Sequence, residues 1–168
     1  MYLYHAVPPN MVGTVLYPLN ELKLHYPLAY AEHYRKYHGR EKLTEQRIPL
    51  LNNCLWNDVL FMMAVSPQVT APAFEGVFGR HWRIKFFRFE AAALDPRKMA
   101  VLHTGDIRSG RFEPFDVAQM ARYQEFSPKT VQHWQGYKAA NKRPFYAAYV
   151  PHVLYHGHLD TTGVPIVE

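Results

Sequence analysis

From Tyr2 to Val7 the chain alternates aromatic and other side chains and stops at Pro8-Pro9, as a short first strand with one buried face does. Asn20, ahead of Glu21-Leu22-Lys23, marks a helix start, and Pro27 opens a second stretch of helix to about Lys36, with Gly39 as its stop. A short charged helix from Arg40 to Gln46 is expected next. Ile48-Pro49-Leu50-Leu51 and Leu55 to Val65 are strongly apolar, and periodicity does not separate buried strand from buried helix there. Ser66-Pro67 and Ser127-Pro128 each pair an N-cap residue with proline at the first helical position, which predicts a helix after Ser66, limited in regularity by Pro72, and a cleaner one to about Ala140.

Trp82 to Phe89 alternates large apolar and cationic residues, the pattern of a half-buried strand. Met99 to His103 should form another after the Asp95-Pro96 turn, and Phe145 to Tyr155 is rich in aromatics and valines, with Pro151 pushing it to an edge or a bend. Strands separated by helices of mixed spacing predict an α+β fold, a mixed or antiparallel sheet with helices packed on it. At 168 residues, with 48% apolar and 15% aromatic side chains, residues 1–168 are expected to close one ordered globular domain.

Composition narrows the chemistry less than the fold. Cys54 is the one cysteine, the N-terminus reads Met-Tyr-Leu-Tyr-His without a basic segment leading an apolar run, and no stretch is long and apolar enough for a membrane span. The expected address is cytoplasmic, with no membrane partner. A formal charge of +5 and a pI near 9.3 favour an anionic partner, a nucleotide or a nucleic acid. The cations are scattered apart from Arg35-Lys36 and Lys142-Arg143, and a solvated basic surface explains them equally well. No Gly-x-Gly-x-x-Gly, Walker loop, Gly-x-Ser-x-Gly elbow or paired-cysteine site occurs.

Several side chains are candidates for chemistry. His152, His156 and His158 share parity and, on one extended strand, would present three imidazoles to a metal such as zinc; capping a strand end is the plainer role. His5 sits inside the first strand, where a satisfied core histidine and a donor to a ribose or phosphate are both open readings. Asn52, Asn53, Asn57 and Asp58 interrupt an apolar segment, as a capping turn or a pocket wall would, and Trp56 beside them is either core or a stacking platform. Cys54 has apolar neighbours, which favour an inert thiol. Arg83, Lys85 and Arg88 among aromatics would suit a non-catalytic module for single-stranded nucleic acid.

With those residues in view, the chain resembles the ADP-ribosyltransferase fold, and within it the DarT-like enzymes that modify nucleic acid. Tyr4-His5-Ala6-Val7 is similar to their opening Tyr-His-x-Thr strand, Arg47 to the arginine that closes their helical insertion, Phe61 to Pro67 to the apolar segment with Ser-Pro that follows, and His152-Val153-Leu154-Tyr155 with Val164-Pro165 to their last strand and turn. The resemblance implies NAD as cofactor, held by His5 and Arg47, with Arg47 and His152 at the reacting centre; Asn57, from the polar pattern, is a further cofactor-binding candidate. This chain departs from it at Val7, which replaces the threonine, and at His152, which occupies the position of the catalytic glutamate. The implied transferase activity is then altered or lost, or supported by another carboxylate such as Glu125 or Asp160.

Overall fold

The computed structural model describes residues 1–103, 111–142 and 144–168. The pair Lys142-Arg143 falls partly outside them. The short strands are β1 (Tyr2–Ala6), β2 (Val15–Leu16), β3 (Arg47–Ile48), β4 (Cys54–Leu55), β5 (Val59–Met63), β6 (Phe86–Glu90), β7 (Met99–Leu102), β8 (Phe112–Pro114), β9 (His152–His156), β10 (Leu159–Asp160) and β11 (Ile166–Val167). The helices are α1 (Leu19–His25), α2 (Pro27–Tyr34), α3 (Pro67–Phe78), α4 (Met120–Tyr123) and α5 (Pro128–Ala139). The fold is α+β, built on a seven-stranded sheet of order β11-β6-β1-β5-β9-β7-β8 whose pairings are all antiparallel.

Register decides which side chains share a face. Tyr4 lies opposite Met63, Met63 opposite His152, and His152 opposite Leu102, so these form one row across the sheet. The neighbouring row, which includes His5 and Phe87, projects from the other face. That second face packs Leu3, Met62, Val101 and Val153 against Met120 and Tyr123 of α4. The face of the Tyr4 row divides into two cores. One, with Ile48, Trp56, Ala100 and Leu154, lies under α1, α2 and the β3–β4 hairpin; the other, with Met63, Trp82 and Phe86, lies under α3 and α5.

The capping signals place the helices. Ser66 and Ser127 each accept a hydrogen bond from the backbone N–H two residues on, at 3.2 Å in both cases, and α3 carries Pro72 in its interior. The expected helix after Arg40 is a 3₁₀ turn over Glu41–Glu45. Two strand expectations need correction. Trp82 to Lys85 is not strand: the Trp82 N–H donates to the Glu75 carboxylate at 2.8 Å, holding the chain against α3, and pairing starts only where Phe86 meets Ala6. The segment from Phe145 to Val150 turns rather than extends, with Tyr149 left-handed at φ 60, so only His152–His156 joins the sheet.

Candidate functional site

The polar interruptions of the apolar segment resolve into separate structural roles. Asn52 and Asn53 adopt left-handed φ values of 54 and 56, which asparagine tolerates better than most residues, and so turn the β3–β4 hairpin. The turn offers the Asn53 carbonyl to Arg47, whose Nη1 donates to it at 2.9 Å. Asp58 works as a clamp: its Oδ2 accepts from the Leu55 N–H at 2.7 Å and its Oδ1 from Asn20 Nδ2 at 2.6 Å, tying β4 to α1. Between hairpin and clamp, the 3₁₀ turn Trp56–Asp58 drives Trp56 into the core against Phe61, with ring centroids 4.7 Å apart, so Trp56 is core rather than a stacking platform.

Asn57 is thereby held on the wall of a cleft of about 400 Å³ whose lining includes Asn20, Tyr30, Tyr34, Arg47, Leu55 and Asn57. Asn57 is 3% exposed and its Oδ1 has no hydrogen-bond partner among the described residues. A buried acceptor left unpaired costs about 1–3 kcal/mol, and this oxygen is closed off from solvent. Tyr30 and Tyr34 stand one turn apart on α2 with centroids 5.4 Å apart, and Lys23 Nζ lies 5.7 Å from the Tyr30 ring centre. Thr44 and Glu45, in the 3₁₀ turn before β3, complete the mouth, where Glu45 and Arg47 are both exposed. A guanidinium at the rim and an aromatic wall suit an anionic ligand that carries a flat ring.

Of the residues singled out from sequence, Arg47 and Asn57 therefore meet in one cleft, and the histidines do not join them. His5 projects from the opposite face of the sheet, its Nδ1–H donating to the Ala6 carbonyl at 2.7 Å. Burial, aided by the charge of Lys36 and opposed by that hydrogen bond, lowers its pKa from 6.5 to about 4. His152 shares the sheet face that the cleft overlies, but is 6% exposed and set edge-on to Phe61 and Phe145 at 6.2 and 5.7 Å. Burial lowers its pKa to about 4 as well. Both are neutral at pH 7, His152 in the core and His5 half-buried.

The three-imidazole reading fails on backbone geometry. Gly157, at φ 95, turns the chain out of β9 and breaks the parity that His158 would have shared with His152 and His156. His158 instead pairs with Glu21 at 2.8 Å, and among the described residues no group of three or more His, Cys, Asp or Glu side chains is placed to hold a metal. Cys54 is pushed up to about 11 by burial and by Asp58, which keeps it a thiol. Arg83, Lys85 and Arg88 make no continuous basic face: Lys85 pairs with Glu168 at 3.5 Å, and the Arg88 guanidinium lies 4.6 Å from the Tyr2 ring centre. Asp160 accepts from the Thr162 N–H and hydroxyl at 2.9 and 2.7 Å, and neither it nor Glu125 lines the cleft.

The residues that sequence reasoning missed are Tyr30, Tyr34, Asn20 and Glu45. The i, i+4 spacing of the tyrosines was the available signal, since it puts both on one helix face. Among the described residues no helix is long and apolar enough to cross a membrane. No protein-family model matches the chain, and neither a curated protein nor a solved structure does.

Proposed function

We propose that the cleft between α1, α2 and the β3–β4 hairpin binds a nucleotide of the NAD type, and that the chain is an ADP-ribosyltransferase-like protein whose acceptor is a nucleic acid or another macromolecule. The observation that carries this reading is the meeting of Arg47, Asn57, Tyr30 and Tyr34 in one lining. Arg47 is singled out by the family resemblance and Asn57 by the polar pattern, and both line this cleft. In this reading Arg47 holds phosphate with a rigid fork of donors, and the tyrosines pack a base. Cleavage of the glycosidic bond of NAD builds positive charge on the ribose and needs an anion beside it. Glu45, at the rim beside Arg47, is the carboxylate of this lining. His5 and His152 have no part in holding the ligand.

Arg47 is exposed and bonded to its own hairpin, so Arg47→Ala should leave the fold intact. NAD at about 100 times its Kd should stabilise the wild type by about 2.7 kcal/mol in a thermal-shift titration, and Arg47→Ala should weaken that binding by about tenfold or more. No shift at millimolar NAD, or an equal shift in the variant, contradicts the reading.

A further inference from the structure

A larger hollow, of about 740 Å³, opens away from that cleft, between α3 and α5. Ala73, Gly76 and Val77 line it from one helix and Val131, Gln135 and Lys138 from the other, at spacings that put each set on one helix face. The helices run in the same direction, since Phe74 meets Trp134 and, further along both, Lys138 Nζ donates to the Val77 carbonyl at 2.6 Å. Phe74 and Trp134 turn inward to the core, so the hollow is the outer seam of this layer. Gly76 sits in its floor. A glycine inside a helix is destabilising relative to alanine, and a Cβ added here would meet no atom within 4 Å beyond the helix's own backbone. The packing of this chain therefore makes no use of the missing side chain. A further helix lying in the seam would, because a glycine lets it come to the near end of the usual interaxial range of about 8–10 Å.

Charge says which kind of helix. From Ser66 to Arg80 and from Ser127 to Lys142 the chain carries four cations, Arg80, Lys129, Lys138 and Lys142, and one acid, Glu75. Glu75 is engaged by His81 and by the Trp82 N–H, each at 2.8 Å. The four cations are exposed, and among the described residues none of them is in an ion pair. Three of them, Arg80, Lys138 and Lys142, stand at the end of the seam where both helices finish. We propose that the α3–α5 seam docks an amphipathic helix of a partner protein, its apolar face against Ala73, Gly76 and Val131 and its acidic residues against Arg80, Lys138 and Lys142. A second copy of this chain fits poorly, because each copy brings four unpaired cations to the contact. A nucleic acid would meet a floor of alanine, glycine and valine where it needs rings to stack on. The seam is independent of the nucleotide cleft.

The test uses two synthetic helical peptides with leucine and alanine along one face, one with glutamates on the opposite face and one with lysines in their place. Fluorescence anisotropy measures their binding to the full chain. The glutamate peptide should bind the wild type about tenfold or more tightly than the lysine peptide, and Gly76→Leu, which fills the seam, should weaken it by about tenfold or more. Leucine is a better helix former than glycine and here projects into open space, so the free variant should melt no lower than the wild type. Lys142→Glu, at an exposed residue, should weaken the glutamate peptide and tighten the lysine one. Equal binding of the two peptides, equal affinity of wild type and Gly76→Leu, or no binding of either peptide overturns the proposal. So does displacement of the peptide by oligothymidylate at physiological salt, or dimerisation of the wild type that Gly76→Leu abolishes.

Discussion

Between pH 6.5 and pH 4 the protein should lose about 3 kcal/mol of stability through His152 alone, with a smaller loss through His5. Both histidines have folded pKa values near 4, below the ordinary 6.5, chiefly because burial penalises the charged ring. In that window the unfolded chain binds protons that the folded chain refuses. Stability is therefore complete above about pH 6.5, falls as the pH drops, and levels off for these groups once the folded rings protonate near pH 4. His152 makes the larger contribution because it is 6% exposed, whereas His5 keeps an edge near solvent and a carbonyl partner. Urea unfolding at a series of pH values measures the slope directly. His152→Phe, which places a ring of similar size between Phe61 and Phe145, should reduce the slope by up to about 1.4 kcal/mol per pH unit. An unchanged slope in that variant would show that His152 is charged or solvated in the fold.

Trp134→Ala should destabilise the protein by about 3–5 kcal/mol, as loss of a large buried aromatic does. Trp134 is fully buried on α5, its ring centre 5.3 Å from Phe74 and 5.9 Å from Phe126, and its indole N–H donates to the Phe145 carbonyl at 3.2 Å. The substitution thus removes apolar contact from the α3–α5 layer and frees a carbonyl in the turn that leads to β9. The cleft lies on the other part of the same sheet face, so ligand affinity of the folded fraction should be preserved. A loss below about 1 kcal/mol in urea unfolding would mean that this layer is looser than described.

The contrast between those sites shows what was legible in the sequence. Helices that carry their own start signals lie where the residues place them: Ser66 and Ser127 cap α3 and α5 with local hydrogen bonds, and Pro27 opens α2 with its φ already helical. Strands depend on partners far along the chain. Trp82 to Lys85 has strand-like alternation, but the partner strand β1 ends at Ala6, and beyond the Ala6–Phe86 pair one backbone bond, from the Val7 N–H to the Lys85 carbonyl, continues the ladder. Phe145 to Val150 reads as strand from its aromatics, which serve instead to bury a turn around Tyr146, Ala147 and Val150.

The same division runs through the site. Asn57 could be picked out because a polar group inside an apolar segment demands a partner, Arg47 from the resemblance, and the fold lines one cleft with both. His5 and His152 were attractive by residue type, yet their faces follow from a register that joins β1, β5 and β9 and that no local pattern encodes. His158 shared parity with them only on paper, since Gly157 changes the direction of the chain. Tyr30 and Tyr34 were visible as helix residues, but only the packing of α2 over the hairpin turns them into a wall.

The most direct test of the cleft as the ligand site is backbone amide NMR with NAD titrated into the protein. The account predicts that shift changes concentrate at Asn20, Tyr30, Tyr34, Arg47 and Asn57, with α3 and α5 nearly silent. Changes centred on α3 and α5, or around the half-buried His5, would contradict it, as would a spectrum that does not respond to NAD at all.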